Sequence, residues 1–224
     1  MQFILTPDPA LGVRDVCAQL LGHLSNQEQV LWLVCGGSSI PAIVSVMQAL
    51  PDDLTSNLTI MLTDERYGPV GHADSNWQQL IDQGFDFKQA TGLATLQPGL
   101  SAAQTVAHYA EVAKRALAKA DYTITQFGIG ADGHIAGILP NSVASQETEQ
   151  LAAGYQTDPF LRLTLTFPAL KQIDAAYAFV FGENKQPALS RLANEDLSLA
   201  DQPSQILKQI PLANVYNDQM EATA

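Results

Sequence analysis

The chain has 224 residues, 46% of them hydrophobic and 15% charged, which excludes a disordered or fibrous protein and fits one domain over residues 1–224. Eleven basic against 23 acidic residues give a net charge of −12, which argues against binding to nucleic acid or to an anionic membrane. No apolar run reaches the roughly 20 residues that span a bilayer, and no signal-peptide pattern is recognisable. The two cysteines form no disulfide framework, so we expect a cytoplasmic protein.

Apolar runs of strand length alternate with helical stretches along the chain. Because they are rich in Val, Ile, Leu, Tyr and Phe, we predict strands over residues 30–35, 58–62, 122–129, 161–167 and 175–181. Helices are predicted over residues 42–50, 102–120, 187–192 and 204–210, and the polar end, 218–224, is predicted to fray. The alternation predicts an α/β fold, a Rossmann-like, mostly parallel sheet with helices on both faces.

In such a sheet, ligands bind where strands lead into helices. The first such junction reads Gly36-Gly37-Ser38-Ser39-Ile40-Pro41. Its glycines let backbone N–H groups approach a ligand, and the start of a helix attracts a phosphate. A tight turn with a serine cap explains the same residues. The pattern is neither a Walker loop nor GxGxxG, so nucleotide binding is not indicated.

The second junction places three charged residues, Asp64, Glu65 and Arg66, directly after a predicted strand. Asp64 can orient neighbouring groups, and Arg66 can hold an anion through two parallel hydrogen bonds. The alternative is a solvated loop with a local Asp–Arg pair.

The third junction is the segment 128–134, in which three glycines surround Asp132 and His134. A neutral histidine is the natural general base near pH 7, and a nearby carboxylate can fix its tautomer. Two other interpretations are a turn whose Asp and His bind only backbone groups, and a pair of metal ligands. Zinc would need a third protein ligand, and no metal-binding motif supplies one, so neither metal nor cofactor is predicted.

Two further cations, Arg162 and Lys185, lie at or beside the ends of predicted strands. Together with Arg66 they would draw an anionic substrate to one rim of an otherwise acidic protein. Lys185 is also compatible with a surface lysine at the start of a helix.

Read together, these segments resemble the 6-phosphogluconolactonases, within the family that also contains glucosamine-6-phosphate deaminases. The matching segments occur in family order and are GGSSIP (36–41), DERYGPVGHADSN (64–76), GIGADGHIAGILP (128–140), RLTLTFPAL (162–170) and GENK (182–185). The resemblance implies hydrolysis of 6-phosphoglucono-1,5-lactone to 6-phosphogluconate in the oxidative pentose phosphate pathway. The implied partner is therefore a small phosphosugar lactone.

The resemblance also implies the roles of individual residues. His134 would activate a water molecule, Asp132 would orient His134, and Arg66 or backbone N–H groups near 130–133 would stabilise the oxyanion. The residues implied to bind the substrate and its phosphate are Gly36, Gly37, Ser38, Ser39, Asp64, Arg162 and Lys185.

Two positions favour a lactonase over a deaminase. The deaminase pattern has a carboxylate where this chain has Leu139, and a tyrosine where it has Arg66. The chain also departs from the lactonase pattern, through the insertion of Ile40, through the residues 137–139 and through Gly68. The alternatives are therefore a deaminase or isomerase of an amino-sugar phosphate, and a non-catalytic phosphosugar-binding protein.

Overall fold

The structure is a computed structural model that describes residues 1–221. Its strands are β1 (Gln2–Leu5), β2 (Val30–Val34), β3 (Leu58–Leu62), β4 (Asp64–Arg66), β5 (Thr91–Leu93), β6 (Tyr122–Phe127), β7 (Ala152–Gln156), β8 (Leu161–Leu165), β9 (Ala175–Val180) and β10 (Leu212–Asn217). Seven of them form one parallel sheet in the order β1-β10-β9-β6-β2-β3-β5.

The α-helices are α1 (Ala10–Ser25), α2 (Ile40–Ala49), α3 (Asn76–Asp82), α4 (Ala102–Lys119), α5 (Phe167–Leu170) and α6 (Gln186–Asn194). Short 3-10 turns cover Gly37–Ser39, Asp52–Asn57, Ala144–Gln146, Glu183–Lys185 and Pro203–Gln209. None of the described helices is long and apolar enough to cross a membrane.

Both faces of the parallel sheet are covered, as the apolar runs of the sequence predict. Every residue of β2 is buried, because its side chains alternate between two hydrophobic clusters. Trp32 lies in the cluster that contains residues of α1 and α2, whereas Leu31 and Leu33 lie in the cluster that contains residues of α4 and α6. The predicted α/β fold with a mostly parallel sheet is confirmed.

The predicted strand over 161–167 exists, but it does not belong to this sheet. As β8 it pairs antiparallel with β4 and β7 in a separate three-stranded sheet. Leu163 and Leu165 are fully buried, and so is Thr164 between them, so both faces of β8 are covered at this end. Arg162 consequently lies near the beginning of β8, directly opposite Arg66 in β4.

Some predicted boundaries are also wrong. Residues 203–209 form a 3-10 turn rather than an α-helix, and the predicted strand 122–129 ends at Phe127. The polar end does not fray where it is described: the Asp218 carboxylate accepts a hydrogen bond from the Gly182 N–H at 3.0 Å, and Met220 packs against the core. Residues 222–224 of that prediction lie outside the described residues.

Candidate active site

An open pocket of about 220 Å³ lies at the carboxyl ends of the central strands, where β4 and β8 also contribute side chains. This is the edge of an α/β sheet at which ligands are expected. Predicted site residues that line the pocket are Gly36, Gly37, Ser38, Ser39, Asp64, Arg66, His134, Arg162 and Lys185. Asp132 does not line it but binds His134 from the side.

The tight turn after β6 brings Asp132 and His134 together. His134 Nδ1 lies 2.7 Å from Asp132 Oδ1, which also accepts the His134 backbone N–H at 3.1 Å. A proton on Nδ1 donates to the carboxylate, so the lone pair of the neutral ring lies on Nε2. Partial burial, the strongest influence on Asp132, would raise its pKa, but the hydrogen bond and charge of His134 outweigh it and lower the pKa to about 2. Asp132 is therefore ionised at any physiological pH.

Gly130 makes this pairing sterically possible. A Cβ atom at position 130 would lie 2.1 Å from His134 Nδ1 and 2.5 Å from Asp132 Oδ1. The Gly130 N–H donates to the His134 carbonyl at 2.9 Å, and the Gly133 N–H donates to the Gly130 carbonyl at 2.9 Å. Because these two N–H groups already donate within the turn, they are poorly placed to donate to an oxyanion as well. Arg66 is the better candidate for that role.

The guanidinium of Arg66 is held from two sides at the pocket wall. Its Nη1 donates to the Asp74 carbonyl at 2.9 Å, and the Phe160 ring centroid lies 5.6 Å from Cζ. Its Nε is buried and has no hydrogen-bond partner within the described part of the chain. The charge is thus fixed in place and retains donor capacity for a ligand.

Glu65 organises the loop behind Arg66, a role that sequence analysis missed. Its side chain is fully buried and accepts four hydrogen bonds. The donors are the backbone N–H groups of Arg66 at 2.8 Å, Asn76 at 2.6 Å and Trp77 at 3.1 Å, and the Ser75 hydroxyl at 2.8 Å. Burial raises the pKa of Glu65, and these donors oppose the rise. Since all four partners donate, the site fits the ionised carboxylate.

Glu65→Gln is therefore expected to lower the free energy of unfolding by about 3 kcal/mol, because the amide NH₂ would face donors and leave buried N–H groups unpaired. Denaturant unfolding would measure this change. The control is Glu149→Gln at an exposed position, which should stay within about 0.5 kcal/mol of the parent. Equal stability of the two variants would contradict the assigned role of Glu65.

The Asp64 and Arg162 side chains form an ion pair inside the pocket. Arg162 Nη1 lies 3.2 Å from Asp64 Oδ2, and both side chains are mostly buried. Gly137 has φ +77° and lies against Asp64, so a Cβ there would come within 2.6 Å of Asp64 Cβ. The pair keeps Arg162 at the pocket wall while partly neutralising its charge.

The loop after β2 and the turn before α6 also line the pocket. Residues Gly37–Ser39 form a 3-10 turn that runs directly into α2, whose first N–H groups have no partner in their own helix. Ser38 is exposed, whereas Ser39 is buried. Lys185 makes no ion pair with any of the described residues. Of the two serines, Ser38 is therefore the better placed to contact an anion.

Several pocket residues were not identified from the sequence as site residues. They are Cys35, Asn76, Gly128, Ile129, Ala136 and Gly137. Asn76 donates to the Asp64 carbonyl at 2.8 Å, so it supports the ion pair from behind. Burial raises the pKa of the Cys35 thiol to about 12, which makes it a poor nucleophile. Among the described residues, no three His, Cys, Asp or Glu side chains are grouped as metal ligands would be.

Comparison with known proteins agrees with the resemblance seen in the sequence. Residues 11–220 match the family described as glucosamine-6-phosphate isomerases/6-phosphogluconolactonase. The chain is 31% identical to a 6-phosphogluconolactonase of Pseudomonas aeruginosa over 195 residues, which are 81% of this chain and 79% of the relative. It is 28% identical to that of Chlamydia pneumoniae over 201 residues, or 84% and 76% of the two chains.

Solved structures share the fold at low sequence identity. A 6-phosphogluconolactonase from Shewanella baltica superposes with a TM-score of 0.80 at 18% identity, covering 97% of both chains. A monomeric glucosamine-6-phosphate deaminase superposes with a TM-score of 0.76 at 16% identity, again over 97% of both chains. By its sequence match over most of its length, the chain belongs to the family of glucosamine-6-phosphate isomerases and 6-phosphogluconolactonases.

Proposed function

We propose that this chain hydrolyses 6-phosphoglucono-1,5-lactone to 6-phosphogluconate, in the oxidative pentose phosphate pathway. The observation that carries the proposal is that His134, which is paired with Asp132, lines the same pocket as the cations Arg66, Arg162 and Lys185. A general base can activate water for attack on an ester, and nearby cations can bind a phosphate on the same molecule. The curated relatives described above are named for this reaction.

The mechanism begins with His134. Its Nε2 removes a proton from a water molecule as the water oxygen bonds to the lactone carbonyl carbon, while Asp132 stabilises the imidazolium that forms. Negative charge develops on the carbonyl oxygen, where Arg66 would supply hydrogen-bond donors, each worth about 3 kcal/mol in comparable sites. When the tetrahedral intermediate collapses, the bond to the ring oxygen breaks and the imidazolium returns the proton to that oxygen. A lactone is an activated ester, so this route requires no cofactor.

The phosphate end of the substrate fixes the position of the ring. The residues proposed to contact the phosphate are Gly36, Gly37, Ser38, Ser39, Arg162 and Lys185, with Asp64 holding Arg162 in place. Holding one end of the substrate turns attack on the other end into an effectively intramolecular step.

Both cysteines, Cys17 and Cys35, are free and buried, which supports the proposed cytoplasmic setting.

The structural likeness to a deaminase makes amino-sugar deamination the second candidate. The position that carries a carboxylate in the deaminase pattern holds Leu139, whose backbone N–H bonds to the Tyr155 hydroxyl at 3.1 Å. An assay of ammonia release from glucosamine 6-phosphate separates the two reactions. Ammonia release without lactone hydrolysis would replace the lactonase proposal.

Lys185→Met tests the phosphate site through substrate selectivity. We expect kcat/KM to fall about 10- to 100-fold for the phosphorylated lactone, because a charge-assisted hydrogen bond worth about 1.5–3 kcal/mol is lost. Hydrolysis of unphosphorylated gluconolactone should be unchanged. Both substrates are assayed against their spontaneous opening, with the exposed Lys114→Met on α4 as the control. An equal loss for both substrates would show that Lys185 does not bind the phosphate.

A further inference from the structure

The backbone of the Asp132–His134 turn is anchored from outside by two groups. Arg191 Nη2, on α6, donates to the Asp132 carbonyl at 3.4 Å. The Ser204 N–H donates to the Gly133 carbonyl at 3.0 Å. Neither contact involves the pocket itself, since Arg191 and Ser204 do not line it. The position of His134 therefore depends on residues that lie behind the turn.

Gln202 connects these two anchors. It is fully buried, its Oε1 accepts from Arg191 Nε at 3.2 Å, and its Nε2 donates to the Ser204 hydroxyl at 3.0 Å and to the Ala188 carbonyl at 2.9 Å. Its side chain also packs against Gly133, where φ is +90° and a Cβ would come within 2.6 Å of Gln202 Cγ. The turn, Gln202 and α6 thus form one hydrogen-bonded unit.

The same helix reaches the pocket at its other end. Lys185 ends the 3-10 turn that leads into α6, and Arg191 lies six residues further on, about 9 Å along the helix axis. A rigid helix of this length connects the proposed phosphate-binding lysine to the arginine behind His134. Within the described residues Arg191 makes no ion pair, so charge neutralisation does not explain its placement.

We propose that Arg191 is a positioning residue for the reaction, which braces the Asp132–His134 turn through the Asp132 carbonyl and through Gln202. This inference rests on the proposed lactonase function. Without the brace, the turn can relax away from Gln202 and carry the imidazole with it. A displacement of about 1 Å at a catalytic group can cost a hundredfold in rate. The phosphate-binding groups stay in place, so binding of the substrate is largely kept.

The test compares Arg191→Met with Arg191→Lys and with Arg115→Met as the matched control. Arg115 is on α4, has a side chain 78% exposed and, among the residues that the structure describes, forms an ion pair with Glu111 alone. For Arg191→Met we expect kcat to fall about 10- to 100-fold with KM within about twofold, equally for phosphorylated and unphosphorylated lactone. Arg191→Lys, which keeps a donor, should recover part of the loss. Arg115→Met should match the parent.

A residue that only stabilises the fold would give a different result. It would lower the unfolding temperature but leave kcat of the folded protein unchanged well below that temperature, and this outcome would overturn the proposal. A loss that appears in KM alone would overturn it as well. If Arg191→Met does not fold, Arg191→Lys still tests the proposal. A lysine cannot reproduce both hydrogen bonds of Arg191, to the Asp132 carbonyl and to Gln202. A kcat equal to that of the parent, with unchanged hydrogen exchange at the turn amides, would therefore contradict the proposal.

Amide hydrogen exchange separates this inference from the proposed function. The Gly133 and His134 amides donate within the turn, so loss of the brace should speed their exchange at least tenfold relative to amides of β2. If the parent protein does not hydrolyse the lactone, the lactonase proposal fails, and the exchange experiment still decides whether Arg191 holds the turn. Unchanged exchange at both amides would show that it does not.

Discussion

His134→Ala is expected to lower kcat for hydrolysis of the phosphorylated lactone by about 100- to 10,000-fold, the usual contribution of a general base. The variant retains Arg66 and the phosphate-binding groups, so KM should change little. Acid release is followed at constant pH and corrected for spontaneous ring opening. The matched control is His108→Ala on α4, outside the pocket, which should behave as the parent.

Asp132 is not expected to set the pH dependence of the parent. The pKa of Asp132 lies at about 2, so this carboxylate does not titrate within the assay range. Any change of the parent's activity within that range therefore comes from a group other than Asp132. Unchanged turnover in His134→Ala would remove His134 from the mechanism.

Gly130→Ala is expected to reduce kcat by about 100-fold or more without removing either catalytic side chain. The new methyl group would lie where the His134 ring and the Asp132 carboxylate meet, so the two must separate. The ring would then lose both its orientation and the carboxylate that stabilises the imidazolium. Lactonase assays measure the loss, and because the displaced side chains are 36% and 50% exposed, denaturant unfolding should show a change of no more than about 0.5 kcal/mol.

Gly22→Ala provides the control for this substitution. Gly22 lies within α1, and a Cβ there would have no heavy atom within 4 Å. The change should keep full activity and raise the free energy of unfolding by about 0.5–1 kcal/mol, because alanine favours the helix. Full activity of Gly130→Ala would show that the contact between His134 and Asp132 is not needed for catalysis.

The central sheet could be predicted because the apolar composition of its strands already indicates that they are buried. The segments β2 and β9 are apolar at almost every position, as strands covered on both faces must be. The second sheet could not be predicted as such. Its strand β4 has the sequence Asp64-Glu65-Arg66, and only the pairing with β8 makes those polar residues a strand. The composition of residues 161–167 predicts a strand but does not say which strands pair with it, so the partners of β8 stayed unknown.

The site residues could be predicted as far as they carry reactive groups near strand ends. Asp132, His134 and Arg66 are chemically conspicuous, and the structure brings them to one pocket or directly beside it. The supporting residues are different: three of the four donors to Glu65 lie ten or more positions away, and Gln202 lies far along the chain from the turn that it supports. Such roles arise from tertiary contacts, and the local sequence carries no signal for them.

The register of β4 against β8 places two arginines next to each other at the pocket wall. Arg66 and Arg162 face each other directly across the two strands, and like charges in that arrangement repel. Asp64 offsets part of the repulsion on one side only. An anion settling between the guanidinium groups would relieve it, and any ligand that binds only the native state shifts the folding equilibrium in its favour. Binding of the proposed substrate is therefore expected to stabilise the second sheet as well as to position the reactant.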